Sequence, residues 1–259
     1  MKDNRKIYEE FGWENLSEKD LKNKTNIIRD AIPKEVKTIL DVGCGNGVIT
    51  NELGKYYHVT GLDSSDKALT FVKTKKLKAS CDNILFENDS FDLVLSSELL
   101  EHLTDEIFYK TLEEIKRITK KYILISVPFE ENIEKAFIQC TECGFIYNRS
   151  YHLRSFSIKK LISYFEEYKF LFSKTFGIKV RYYNPFIAKL KHKISSSVSW
   201  IPYFWTPLEK RKTTCPNCEK NFVYKYRFNL FAFLCDCLNV IISPKKPYWL
   251  LVILEKINC

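Results

Sequence analysis

ILDVGCGNGVI, residues 39–49, decides how this chain is read. An apolar run, TILDV (38–42), ends in Gly43-x-Gly45-x-Gly47 and passes at once into a helical pattern. Glycines let the backbone turn sharply and let a ligand lie directly on the main chain. Asp41 stands just ahead of the turn. A carboxylate there repels a pyrophosphate, and the spacing is not the G-x-G-x-x-G of dinucleotide sites. It suits a cationic ligand instead. Asp63 closes the next apolar run, YHVTGLD (57–63), 20 residues after Gly43, where a carboxylate can accept both hydroxyls of a ribose.

Outward from this stretch the chain alternates short apolar runs with helical patterns. Helices are expected over 46–55, 65–74 and 104–118, and strands at FDLVLSS (91–97) and KYILISV (121–127). Thr104 is a plausible cap, with Phe108, Leu112 and Ile115 on one face. This repetition implies an α/β fold, a parallel sheet covered by helices on both faces. After Pro128 the rhythm breaks. About 28 residues pass before a helix expected at Ser157, then a strand near 170–180. A segment of about 65 residues follows before the last strand, YWLLVILEK (248–256). Residues 1–35 read as a helical lead-in over the ligand site, and 36–259 as one domain with insertions at 128–156 and 181–246.

The chain has 259 residues, 45% of them hydrophobic, enough for a proper core. The N-terminal MKDNRKIYEEFGW has no apolar segment of the export type, and no run of 18 uncharged apolar residues occurs. A cytoplasmic, reducing location is the expectation. Nine cysteines, an odd number, then point to metal ligation or burial rather than disulfides. The net charge of +9 fits either a lysine-rich composition or an anionic partner. From Val180 to Lys212 there are seven basic residues and one acid, around WIPYFWTP (200–207). Such a loop suits an anionic membrane interface at the inner face of a bilayer, or a cover on the neighbouring module.

Three blocks in order, Asp41–Gly47, Asp63 and SFDLVLSSELLEHL (90–103), resemble the class I S-adenosylmethionine-dependent methyltransferases. The resemblance implies a Rossmann-like, mostly parallel seven-stranded sheet and S-adenosylmethionine as cofactor. It places Asp41 toward the methionine amino group, Gly43, Cys44 and Gly45 in backbone contact, and Asp63 with Ser64 at the ribose. Ser97 falls beside the site. Ser80 stands where many relatives carry an adenine-contacting Asp.

A methyl group on sulfonium is already electrophilic, so the protein must position a nucleophile. A hydroxyl nucleophile gains from a base of near-neutral pKa, a role suited to histidine. His152, in YHLRSF between the fifth strand and a helix start, is the candidate general base; a zinc ligand or a loop hydrogen bond are its other readings. Arg154 suits a substrate carboxylate or phosphate, or is a surface arginine. His102 is placed near the cofactor, for packing or for acceptor contact.

Cys140-x-x-Cys143 and Cys215-x-x-Cys218 supply the four thiolates of a tetrahedral structural zinc site, one pair from each insertion. The 71 residues between them exceed the spacing of compact zinc ribbons. A shared Zn²⁺ would pin the two insertions together. The Cys-x-x-Cys followed by a His-Leu-Arg-Ser-Phe run also resembles a subgroup met in bacterial surface-glycan pathways. The expected reaction is O-methylation of a small or lipid-linked acceptor such as a sugar hydroxyl. Two rivals stand beside it: an RNA methyltransferase with a zinc-stabilised module, and a non-catalytic scaffold. Nucleic acid is the weaker partner, because Ser96-Ser97-Glu98-Leu99 replaces the Pro-Pro-aromatic motif of base N-methylation.

Overall fold

The computed structural model describes residues 5–9, 12–13, 18–194, 211–224 and 228–257. WIPYFWTP (200–207) lies outside the described residues, and with it the membrane reading of that loop. In chain order the elements are α1 (Arg5–Glu9), α2 (Glu18–Ala31), β1 (Thr38–Val42), α3 (Val48–Leu53), β2 (His58–Asp63), α4 (Asp66–Leu69), β3 (Lys75–Lys78) and β4 (Phe91–Ser97). There follow α5 (Asp105–Ile118), β5 (Thr119–Pro128), β6 (Phe137–Gln139), β7 (Ile146–Asn148), α6 (Ile158–Ile162), β8 (Tyr168–Arg181) and α7 (Pro185–Ile194). Last come β9 (Lys212–Thr214), β10 (Asn221–Val223), α8 (Leu230–Ile242) and β11 (Lys245–Lys256).

Seven strands form one sheet in the order β3-β2-β1-β4-β5-β11-β8. The pairs from β3 to β5 are parallel, and β11 runs antiparallel to both of its neighbours. The strand order reverses at β1, so a crevice opens beyond the carboxyl ends of β1 and β4. That is where open α/β sheets bind ligands.

Successive side chains of a strand point to opposite faces. Leu40, Val94, Ile123, Ile125 and Val252 accordingly join the core under α5 and α6. Their neighbours Ile39, Leu93, Leu95, Leu124 and Leu251 join the core under α2 and α3. Both faces are buried, which is why these strands read as continuous apolar runs.

Several boundaries differ from the expectation, each for a local reason. Helix α3 starts at Val48 because Gly47 holds φ 72, outside helical geometry. Helix α4 starts as expected, with Ser65 Oγ accepting from Ala68 N at 3.0 Å, but stops after Leu69. The chain beyond it is drawn aside by Asn51, which bonds Phe71 O and Lys73 N. Strand β3, KKLK, was not foreseen; it is a mostly exposed edge strand without an apolar run.

The two insertions meet. Hairpins β6–β7 and β9–β10 share a small core of Ile138, Tyr147, Phe222 and Tyr224. Helices α7 and α8 pack on each other through Ile187, Ala188 and Cys235.

At the outer edge, Phe176 pairs with Trp249 and Lys179 with Pro247, leaving two β8 residues opposite one on β11. This bulge has Gly177 at φ 88, and an added Cβ would sit 2.4 Å from the Trp249 ring. Gly177→Ala is expected to cost about 1–3 kcal/mol through left-handed strain and overpacking, read as a lower urea midpoint at unchanged slope.

Candidate active site

The site begins where β1 ends. Gly43 N and Cys44 N both donate to Leu62 O, at 2.8 and 3.0 Å, which folds the chain back over the end of β2. Gly43 and Gly45 sit at φ 75 and 53, the left-handed region that glycine tolerates. Asp63 stiffens the turn: one carboxylate oxygen accepts from Gly45 N at 2.8 Å and the other from Ser65 N at 2.9 Å. Burial raises its pKa against these amide bonds. Asp41 lies behind the turn, 2% exposed, accepting from Thr50 Oγ1 at 2.6 Å. Burial pushes its pKa up to about 6.

A cleft with about 740 Å³ of free space, its mouth included, opens beside this turn. Gly43, Asp63, Ser64, Ser80, Glu98 and His102 contribute polar walls; Leu99, Leu103 and Ile107 form an apolar slot, and Tyr8 and Trp13 come from the lead-in. A Cβ at Gly43 would lie 2.9 Å from Leu99 Cδ1, and one at Gly45 would lie 2.7 Å from Trp13 Cζ3. The main chain is therefore bare where the walls close on it. The carboxylates of Asp63 and Glu98 together with the apolar side chains of Leu99, Leu103 and Ile107 fit a cationic nucleoside: carboxylates for hydroxyls and positive charge, apolar side chains for a base.

The wall at the end of β4 is strained and charged. Glu98 holds φ 56, a conformation that costs a non-glycine residue free energy and recurs at functional sites. Its carboxylate meets Lys24 Nζ at 2.9 Å and accepts from Trp249 Nε1 at 3.1 Å. One turn on, Glu101 is fully buried, and neither of its carboxylate oxygens has a hydrogen-bond partner among the described residues. Burial, then the charge of Glu98, raises its pKa well above the carboxylate range. His102 Nδ1 shares a hydrogen bond with Tyr8 Oη at 2.7 Å. The ring of His152 packs edge-on against it, centroids 4.7 Å apart. His152 is 5% exposed, and its Nδ1 is bonded to the Glu131 carboxylate. One ligand atom each from Glu101, His102 and His152 lie within 4.8 Å of one another. With Nδ1–H donating to Glu131, His152 keeps its Nε2 lone pair for a proton.

Gly43, Asp63, Ser64, Ser80 and His102 thus line the cleft, whereas Asp41, Cys44, Gly45 and Ser97 support it from outside the lining. His152 stands behind His102. Arg154 lies outside the cleft lining. Its guanidinium donates to Leu100 O at 3.0 Å and Asp105 Oδ1 at 2.6 Å and lies 4.0 Å from the Phe108 ring centre. These contacts brace the start of α5. Glu101 and Glu131 were not singled out by the sequence, and Tyr8 was read only as an aromatic of the lead-in. Glu101 lay inside the SSELLEHL block, but no sequence signal told a buried Glu from an exposed one.

The four insertion cysteines converge. Cys140 Sγ lies 3.8 Å from Cys218 Sγ and Cys143 Sγ lies 3.7 Å from Cys215 Sγ, and all four fall within 4.8 Å. A zinc tetrahedron with Zn–S near 2.3 Å has edges of about 3.8 Å. The two knuckles are built alike. Gly144 N donates to Cys140 O and Glu219 N to Cys215 O, and both residues hold positive φ.

Comparison with known proteins agrees with this architecture. Residues 40–124 match the family model of a methyltransferase domain. An uncharacterised protein of Methanocaldococcus jannaschii is 31% identical over 179 residues, 67% of this chain and 70% of the relative. A ubiquinone biosynthesis O-methyltransferase of Hydrogenovibrio crunogenus is 31% identical over 109 residues, but the match spans only 36% of this chain and 45% of that protein. Among solved structures, a SAM-dependent methyltransferase from Archaeoglobus fulgidus superposes with a TM-score of 0.57 at 15% identity, covering 93% of this chain and 95% of that one. At that identity the likeness speaks for the fold. The chain belongs to the class I S-adenosylmethionine-dependent methyltransferases.

His102 yields a test of this packing. Burial, then the neighbouring His152, pushes its pKa down to about 3. In the unfolded chain it titrates near ~6.5, so below that pH the unfolded state binds a proton that the folded state refuses. The contribution to stability is intact above about pH 6.5 and is lost as pH falls toward the folded value. By about pH 5 the loss is about 2 kcal/mol. Urea unfolding of His102→Gln at about pH 7.5 and pH 5 should show a loss on acidification smaller than wild type by that amount.

Proposed function

We propose that the cleft binds S-adenosylmethionine and that the enzyme O-methylates a small or lipid-linked acceptor, such as a sugar hydroxyl. The cofactor supplies a methyl group made electrophilic by its sulfonium. The observation that carries this reading is the meeting of the Gly43–Asp63 cleft with the Glu101–His102–His152 wall. In this assignment Asp63 and Ser64 hold ribose hydroxyls, and backbone at Gly43 takes up the amino-acid end. Asp41, from behind the turn, favours positive charge there. Ser80 and the Leu99–Ile107 slot receive the adenine.

An acceptor that enters past His102 gives its proton to His152 Nε2, directly or through one water, while Glu131 on Nδ1 fixes the tautomer and stabilises the charged ring. O-methylation is favoured by this base and by the names of the ubiquinone-pathway relatives. A second cavity on the far side of Glu131 is lined by Lys135, Arg149, Arg181 and Lys246. Glu130 and Glu131 share this lining, with Lys246 paired to Glu130, and the excess of basic groups supports an acceptor carrying phosphate, as lipid-linked sugars do, in agreement with the resemblance to the glycan-pathway subgroup. Arg154, spent on bracing, has no part in it.

Calorimetry with S-adenosylmethionine is the first measurement. Binding is expected for wild type, and Asp63→Ala should weaken it about 10- to 100-fold, the worth of a charged hydrogen bond. No heat with wild type would remove the cofactor assignment. His152→Ala should keep the cofactor affinity yet lower methyl incorporation from labelled cofactor into a glycan and lipid extract by about 10²–10⁴-fold.

The same reading gives the cysteine cluster a structural Zn²⁺ that fastens the two hairpins. Metal analysis of purified protein should find about one zinc per chain, and Cys143→Ser with Cys218→Ser should bring it near zero.

A further inference from the structure

Helix α8 has its polarity turned inside out. Its buried positions are Ala232, Cys235, Asp236 and Asn239. The opposite stripe carries Leu230, Leu234, Leu238 and Ile241, exposed by 62%, 56%, 50% and 81%. A surface helix in water shows the reverse order, apolar face inward. The inward polar groups bond to α7, to the chain leading into it and to the end of α8. Asp236 Oδ1 accepts from Tyr183 Oη at 2.6 Å and from Lys191 Nζ at 2.9 Å. Asn239 accepts from Asn184 N and Ser243 Oγ at 2.9 and 2.8 Å and donates to Tyr182 O at 3.1 Å. Helix α7 adds Phe186 and Leu190 to the apolar exterior.

We propose that the outer face of the α7–α8 pair is a docking surface for an anionic lipid bilayer. Polar pairs inside and leucines outside are the arrangement that hydrocarbon, not water, stabilises. The length of α8, 13 residues or about 20 Å, is too short to cross a hydrocarbon core of about 30 Å. No described helix is long and apolar enough to do so. The pair therefore lies in the plane of the interface, leucines down.

The charge pattern selects the lipid. Lys179 near the end of β8, Lys189 on α7 and Lys245 at the start of β11 are exposed. In 179–194 and 228–245 the one acid is Asp236, fully buried against Lys191. An anionic headgroup layer thus meets lysines and no opposing carboxylate of these segments. The position also fits. Helix α7 leaves the end of β8 and α8 enters the start of β11, at the sheet edge that carries the cleft. The cavity at Arg181 and Lys246 is lined by the segments that lead into α7 and out of α8 and by Glu131.

The test is vesicle flotation of the full chain, without cofactor or acceptor, so that it stands apart from the catalytic assignment. Vesicles are phosphatidylcholine alone or with about 30% phosphatidylglycerol, at low and high salt. The proposal expects flotation with the anionic vesicles, weakened by salt, and a tenfold or greater loss in a Leu234→Glu, Ile241→Glu variant. That variant should keep wild-type thermal unfolding, since both side chains already face outward. Wild type left at the bottom of the gradient overturns the proposal, as does a variant that floats equally well. A wild-type dimer in gel filtration that becomes monomeric in the variant, with no flotation, gives the face to a second copy instead.

Discussion

The carbonyl of Leu62 accepts from two successive amides, Gly43 and Cys44, and the rest of the site depends on that clasp. It joins the exit of β1 to the end of β2 and forces the chain into left-handed geometry at Gly43 and Gly45. Asp63, the residue after Leu62, then reaches back to Gly45 N. A carboxylate that braces its own binding loop needs no rearrangement before it meets a ligand, which reduces the ordering cost of binding.

Much of this was legible because it is local. A buried strand is a short apolar run, and a glycine turn is written in consecutive residues. TILDV and FDLVLSS were placed residue for residue. KKLK was not, because an exposed edge strand is stabilised by its ladder to β2 rather than by its own side chains. The site was legible in the same measure. Asp63 and His102 stood in local motifs. Glu131 and Tyr8 act through partners 21 and 94 residues away, and no periodicity encodes such pairs. Arg154 had the right chemistry for an anion, but its neighbours Asp105 and Phe108 claim it.

The insertions and the catalytic wall form one continuous structure. Tyr151, next to His152, holds φ 59. Its hydroxyl donates to Thr214 O at 3.0 Å, one residue before Cys215. Its ring packs on Tyr147 in the hairpin core and approaches Tyr8 at 6.4 Å. Whatever fixes the two cysteine knuckles therefore also fixes the backbone from which His152 projects. That is a physical reason for a sheet of this kind to carry a remote cysteine cluster: His152 sits on an irregular segment outside the strands of the main sheet.

Glu101 has a consequence for how such a chain can drift. A fully buried carboxyl with no hydrogen-bond partner among the described residues lowers the stability of the ligand-free fold by about 1–3 kcal/mol, and an apolar side chain of similar size would not carry that burden. Selection for folding alone would discard it. A descendant of this fold that had given up chemistry would gain robustness by losing this one acid, so its retention separates working copies from silent ones.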